Sequence, residues 1–461
     1  MLGEDVIELD RERRQRLPSW SEIVDGLRSA TSDTSDTAVE VLKRAKGRPV
    51  LQPRCGVGGH AEMLDLLRAL ESAGAPDLLS VTIDSHTRLR HFATADRVRR
   101  ENPAQLNGYP LVAHGWERGR ELVAAVGVPL QVRHGSPDGR DLFAVSLAAG
   151  ITSFEGGGIG YNIPYAKDVP LADSLRAWQQ VDAVTAELAR SGVVLERELF
   201  GSLTAVLVPP SLSLAMTLLE AVLAAEQGVR CVSISYPQSG EVHQDVAALR
   251  AIRAVAAEYL PADMTVFTVL HEFMGVFPAG RDWAEALVHY GGLVGRLGGA
   301  DKVITKTHQE ALGIPTAAAN AHGLRLARAA CSPLLDFVRL DEGRVAEEQH
   351  WIEREVAELV TPVLERPRLA TAVEAGFAAG TLDIPFSASV HARADVVPLR
   401  DPTGAIRYHA AGALPLSGDV LRRQHRLLSH RTAALTDEIL ADINYFADRP
   451  PWTAEKGQVP A

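Results

Sequence analysis

The stretch FEGGGIGYNIPYAKDV, residues 154–169, places a carboxylate, three consecutive glycines, two tyrosines and a lysine within sixteen residues. Gly156, Gly157 and Gly158 directly follow Glu155, so the backbone there can take positive φ and approach a bound molecule closely. Pro164 stiffens the turn between Tyr161 and Tyr165, whose phenols can hydrogen-bond a polar ligand. A carboxylate on so bare a loop can act as a base or receive an ammonium group. The same residues also fit a tight loop in which Glu155 pairs with a neighbouring arginine.

Other polar residues fall at or near the ends of short apolar runs: Arg54, Arg88, Asn107, Arg133 with His134, His271 and Lys306. Taken singly, each arginine fits a surface ion pair. Taken together they suggest a small dianion, because a guanidinium offers a rigid fork to a carboxylate. The chain has 47 basic and 58 acidic side chains and a net charge of −11, so a basic pocket is no by-product of composition. Several cations around one anion fit an amino dicarboxylate. Lys306 fits a second chemistry, Schiff-base formation in an aldolase-type barrel, and Glu310, four residues on, can pair with it or hold a sugar hydroxyl.

Three motifs imitate other sites. Gly56-x-Gly58-x-x-Ala61, followed by Asp84, resembles a dinucleotide fingerprint, but Arg54 at the strand end and the strand–helix units that continue past residue 130 favour a barrel loop. Asp84-Ser85-His86 begins like a cobalt-ligating DxHxxG loop, yet Leu89 stands where the glycine belongs. The histidines at 86, 91, 114, 134, 271 and 308 form neither an HxH strand motif nor an HExxH helix, so no metal ligand is expected among them.

The elements that must position these groups alternate along the chain. Apolar runs at 48–54, 78–84, 109–115, 130–135, 151–157, 203–210, 230–237, 264–272 and 301–307 end in polar residues or glycine, and most precede an amphipathic segment. That rhythm, over about 250 residues, predicts an α/β fold, a TIM (β/α)8 barrel spanning 48–330 with its catalytic groups at the C-terminal strand ends. Nine candidates stand where eight strands are needed, so one is expected to lie outside the barrel. Residues 1–47 read as a helical lead-in. Residues 331–461 read as a C-terminal α+β appendage: a long helical segment, then turns and short strands.

Composition narrows the class further. At 46% hydrophobic over 461 residues the chain can bury a large core. It lacks a basic run suited to nucleic acid, a signal-peptide core and any apolar stretch of about 18 residues, so a cytoplasmic protein without nucleic-acid or membrane partners is expected. Cys55, Cys231 and Cys331 are too few and too scattered for a disulfide framework or a cysteine metal site.

The motifs QPRCG, TIDSHTR, QVRHGSPDGR, FEGGGIGYNIPYAKDVPLADS, LVPPSLS, AAEQGV, QDVAALRA and LGIPTAAANAHG run colinearly from about residue 48 to beyond 320. Together they resemble the epsilon-subunit family of glutamate mutase (methylaspartate mutase), the large catalytic subunit. DIPFSAS and PLRDPTGAIRY carry the resemblance into the appendage. It implies an adenosylcobalamin-dependent isomerase that interconverts (S)-glutamate and (2S,3S)-3-methylaspartate. In that family homolysis of the cobalt–carbon bond starts a radical rearrangement through glycyl radical and acrylate, and the protein supplies placement and exclusion of water.

By the same resemblance, Arg54, Arg88 and Arg133 clamp the two substrate carboxylates, with His134 adjoining; Glu155 engages the amino group; and Tyr161 and Tyr165 line the pocket. Glu155 and Arg88 are the residues expected to carry catalysis. Gly56, Asn107, Pro164, Phe277, Lys306, Glu310 and Ile314 fall where family members contact adenosylcobalamin, Lys306 and Glu310 on the ribose side. The cobalt ligand comes from a separate small subunit carrying DxHxxG, and a homodimer within a heterotetramer is implied. His86, Phe154 and Thr307-His308-Gln309 depart from the family pattern. Two other readings fit the same residues: a cofactor-free lyase or aldolase using Lys306, and an inactive amino-dicarboxylate-binding subunit.

Overall fold

The computed structural model describes residues 6–9, 14–32, 36–429 and 433–447. Its centre is one sheet of eight parallel strands: β1 (Val50–Pro53), β2 (Leu79–Thr82), β3 (Leu130–Arg133), β4 (Ser153–Glu155), β5 (Glu196–Leu199), β6 (Cys231–Pro237), β7 (Thr265–His271) and β8 (Lys302–Thr305). Each strand from β2 to β8 pairs with the next, and β8 pairs with β1. Between β1 and β2 the Thr82 N–H donates to the Cys55 carbonyl at 2.8 Å, which leaves a nearly closed (β/α)8 barrel.

Seven of the nine expected strands are present, and two are not. Residues 109–115 form a single parallel bridge, Ile83 with Tyr109, and then a short helix, Leu111–His114. The Tyr109 N–H donates to the Thr82 carbonyl at 2.8 Å, and Tyr109 and Leu111 are buried in one core with Ile83. Residues 203–210 form a turn in which Leu203, Ala205 and Leu207 take φ of 48°, 62° and 49°, and the pair Pro209-Pro210 then opens helix Pro210–Gln227. Left-handed backbone at a non-glycine residue costs about 1–2 kcal/mol. Here it brings the Leu203 carbonyl to the Tyr165 hydroxyl at 3.0 Å.

The strand that fills the gap, β5, reads Glu-Arg-Glu-Leu and has no apolar periodicity. It is a strand because every charge on it is answered. Glu196 and Glu198 face Lys302, serines and Arg133 inside the barrel, and Arg197 faces Asp182 on the helical side at 2.9 Å. Barrel interiors are commonly filled by branched aliphatics. This one is a hydrogen-bonded polar lattice: Gln52 Nε2 donates to Ser80 (2.8 Å) and Gln131 (2.7 Å), and Gln131 Nε2 donates to Glu198 (2.9 Å).

Apolar packing lies outside that lattice. Helix Ala38–Arg44, opened by a reciprocal Thr37–Glu40 capping box, seals the N-terminal end of the barrel by setting Val39 and Leu42 against Val50, Leu78, Cys231 and Phe267. Each such side chain contributes about 1.5–3 kcal/mol on burial. Helix Glu342–Leu364 lays Val345, Ile352 and Val356 into one core with Leu249 and Ile252 of the barrel helix Val242–Tyr259. The antiparallel pair β9 (Val397–Arg400) and β10 (Ile406–Ala410) is tied on by Gln244 Nε2 donating to the Ile406 carbonyl at 3.0 Å.

Candidate active site at the C-terminal end of the barrel

The side chains at the ends of β3, β4, β5 and β7 converge on the barrel axis. Arg133 is 3% exposed and donates to two carboxylates at once, from Nη2 to Glu155 and from Nη1 to Glu198 at 3.2 Å. Gln131 accepts a further bond from Nη1 at 2.7 Å, and Arg133 Nε has no partner among the described residues. Burial works against the guanidinium charge, but the two carboxylates outweigh it and raise its pKa. His271 bridges Ser202 (Nδ1, 3.1 Å) and Glu198 (Nε2, 3.0 Å), and burial pushes its pKa down to about 4. Atoms of Glu155, Glu198 and His271 lie close enough together to ligate an ion. The Arg133 guanidinium already contacts all three, so an internal cation stands where a metal would.

The two carboxylates are held differently. Glu198 is fully buried, yet Lys302 (2.7 Å), Arg133 and His271 overcome the cost of burial and hold its pKa well below the usual range. Among the described residues the Glu155 carboxylate accepts hydrogen bonds only from Arg133 and from the Tyr161 hydroxyl, which donates to its other oxygen. Burial prevails, and with the Glu198 charge it pushes the Glu155 carboxyl up to about 7.

The glycine loop is fixed from two sides. Glu220, from helix Pro210–Gln227, accepts from the N–H groups of Ile159 (2.7 Å) and Gly160 (2.8 Å). Arg197, from β5, donates to the carbonyls of Phe154 (2.8 Å) and Gly156 (3.0 Å) and lies over the Trp178 ring. The glycines follow from this closeness. A Cβ at Gly157 would stand 2.2 Å from Glu220 Oε1, and Gly156 has φ of 124° with the Trp178 ring within 2.4 Å of a built Cβ.

The remaining residues singled out in the sequence are distributed around this centre. Arg54 and Arg88 are half-buried, and among the described residues neither side chain has a hydrogen bond or ion pair. Arg54 acts electrostatically on Glu155, Tyr165, His271 and Lys306; Arg88 acts on Tyr165 and His134, and its Nη1 comes within 3.3 Å of a Cβ built at Gly135. His134 is stacked on Trp178, and burial pushes its pKa down to about 3, so it serves as a neutral wall. Phe154 faces outward among Phe143, His134 and Trp178, away from the barrel interior.

Lys306 is buried beside Glu310, with Nζ 2.8 Å from the carboxylate; burial lowers its pKa, and Glu310 opposes the shift. Asn107 is exposed and accepts from the Ser85 N–H at 2.9 Å, and Ile314 is 52% exposed. Pro164 is half-buried, whereas Gly56 and Phe277 are buried. At Gly56 a Cβ would lie 2.3 Å from the Thr82 carbonyl, so backbone packing alone already requires that glycine. Asp84 caps the short helix after β2 by accepting from the N–H groups of His86 (2.9 Å) and Thr87 (3.0 Å), a structural task distinct from ligating cobalt.

Sequence reasoning missed Glu198, Arg197 and Glu220. The signal for the first two was the run Glu-Arg-Glu between a helix and Leu199, three charges that only an ion-paired interior can bury. Glu220 lies in the apolar helix segment LAMTLLEAVLAAEQG and offered the same kind of signal.

A barrel with a polar interior, paired carboxylates and open guanidinium groups at its C-terminal end is the frame of an enzyme acting on a small charged molecule. Residues 34–439 match the family model of the methylaspartate mutase E chain (MutE). The glutamate mutase epsilon subunit of Halobacterium salinarum is 45% identical over 399 residues, covering 85% of this chain and 83% of the relative. That of Haloarcula marismortui is 44% identical (83% and 79%), and that of Escherichia coli O157:H7 is 38% identical (91% of each). The chain is an isomerase, a mutase that rearranges a carbon skeleton. It belongs to the methylaspartate mutase E chain family.

Proposed function

We propose that the chain is the catalytic subunit of an adenosylcobalamin-dependent mutase that interconverts (S)-glutamate and (2S,3S)-3-methylaspartate by a radical route. The observation that carries the substrate class is the pair Arg54 and Arg88, cations with no hydrogen bond or ion pair among the described residues, Arg54 acting on the buried Glu155 carboxylate and Arg88 on Tyr165 beside it. Two guanidinium groups answer two carboxylates, and Glu155 answers the ammonium. Arg133 contributes its unpartnered Nε and keeps Glu155 in place. Tyr161 orients the Glu155 carboxylate, and Tyr165, tethered to Leu203, borders the same space.

The residues present fit the cofactor. Lys306 and Glu310 form a charged pair suited to ribose hydroxyls, and exposed Leu312 (77%) and Ile314 (52%) offer apolar surface on the same loop. When bound, adenosylcobalamin supplies a carbon radical that removes a substrate hydrogen. The chain's own part is to hold the substrate at both ends and in the middle, so that the rearranging fragments stay in register. With Asp84 committed to capping, the cobalt ligand comes from a separate small DxHxxG subunit, in a heterotetramer built on a homodimer of this chain. We assign the complex to the cytoplasm; among the described residues no helix is long and apolar enough to cross a membrane.

The test is reconstitution with the small subunit and adenosylcobalamin, followed by glutamate and analysis for methylaspartate. Formation of methylaspartate is expected. A complete, cofactor-loaded complex that turns over no amino dicarboxylate overturns the assignment.

A further inference from the structure

We infer that Glu198 determines specificity: its charge leaves the buried cluster at the barrel end one positive charge short, and the ammonium group of an amino dicarboxylate makes up the difference. The inference rests on the substrate class proposed above and names the residue that imposes it.

The cluster contains two cations, Arg133 and Lys302, and three carboxylates, Glu155, Glu196 and Glu198, each 3% exposed or less. The cluster is buried, and an uncompensated buried charge is strongly unfavourable. The carboxylates do not share the shortage equally. Glu196 receives Lys302 (2.5 Å), Ser153 (2.7 Å) and Ser233 (2.6 Å). Glu198 receives Lys302, Arg133, Gln131 and Ser235 (3.0 Å), and His271 Nε2 lies 3.0 Å from it.

Glu155 is left with one guanidinium nitrogen and one phenol. Facing it are Arg54 after β1, Arg133 on β3, Tyr161 and Tyr165 on its own loop, Glu198 on β5 and His271 on β7. Arg54 and Arg88 are matched by the two carboxylates of the substrate, so the shortage remains for the third substrate group to fill. Glutamate closes the balance. Glutarate, with the same carboxylates and no amine, leaves one negative charge buried. Without ligand and below about pH 7, a proton on Glu155 fills the gap, in keeping with its raised pKa.

The experiment compares wild type and Glu198→Gln, each reconstituted with the small subunit and adenosylcobalamin. It measures kcat/KM for glutamate and competitive inhibition by glutarate across pH. Loss of the charge is expected to reduce the preference for glutamate over glutarate by roughly tenfold or more. It should also move the acid limb of kcat/KM down by about half a pH unit or more, because Glu155 loses its like-charged neighbour. A folded, active variant that keeps both the preference and the limb overturns the inference.

If the variant does not fold, wild type alone decides. In calorimetry near pH 6, in two buffers of different ionisation enthalpy, the hydroxocobalamin-loaded complex should release close to one proton on binding glutamate and none on binding glutarate. Equal release overturns the inference. A wild-type complex that neither turns over nor binds glutamate removes the functional reading itself, a separate outcome.

Discussion

Arg133 donates to Glu198 across 3.2 Å inside the barrel, whereas among the described residues Arg54 and Arg88 make no hydrogen bond or ion pair. The structure divides the three arginines into one that is internally bonded and two that are open. Arg133→Met should therefore destabilise the fold by about 3–5 kcal/mol, because it strands two buried carboxylates. Arg54→Ala should stay within about 0.5 kcal/mol of wild type, since it breaks no bond, while kcat/KM falls steeply. Urea unfolding alongside steady-state kinetics checks this; equal destabilisation by both changes contradicts the division.

Glu155 must be ionised to receive an ammonium group, and burial sets its carboxyl at about 7. As pH rises through that value the fraction of ionised Glu155 rises, so kcat/KM should climb along an acid limb near neutrality. Glu155→Gln should lose the limb and about 10- to 100-fold in kcat/KM, the worth of one charge-assisted hydrogen bond. A variant whose pH profile matches wild type would reduce Glu155 to a loop-shaping residue.

The Gly157 backbone lies against Glu220, and a methyl there would come within 2.2 Å of the carboxylate. Gly157→Ala should cost about 1–3 kcal/mol through overpacking and displace the loop that carries Tyr161. In a double-mutant cycle with Glu220→Ala the two costs should fall short of additivity by at least about 0.5 kcal/mol. Strict additivity shows that the contact is not the source of the strain.

Glu220 also links stability to pH. Burial raises its carboxyl from 4.5 to about 7 in the folded chain, so the folded state holds the proton more tightly than the unfolded one. Its contribution is fully present below the unfolded value and is lost as pH rises through about 7, amounting to about 1–3 kcal/mol. Glu220→Gln keeps an acceptor for Ile159 and Gly160 and should flatten stability between about pH 5 and 8 relative to wild type. Unchanged slopes in chemical denaturation at several pH values count against this account.

Lys306 is held by Glu310 at 2.8 Å, as suits a residue that positions hydroxyl groups. Borohydride treatment in the presence of a carbonyl substrate should leave it unmodified by mass spectrometry. A reduced adduct on Lys306 would revive the lyase reading.

Much of this protein was legible without coordinates. Strand–helix alternation located seven strands of the barrel, because parallel strands covered by helices must be apolar on their outward face. The polar residues at their ends pointed to Arg54, Arg88, Arg133, Glu155 and Lys306, because a parallel barrel collects its loops at one end. The misreadings share a cause. Residues 109–115 and 203–210 are apolar because they pack in loops, and β5 is charged because its partners lie up to 106 residues away in sequence.

The sequence by itself determined the fold class, the family and the residue types at the site, since periodicity and motif are local properties of the chain. Which arginine is bonded, which carboxylate keeps its charge and what holds the glycine loop were decided only in three dimensions. Burial and ion pairing depend on which distant side chains meet, and in a low-dielectric interior those meetings set the charge each group can hold.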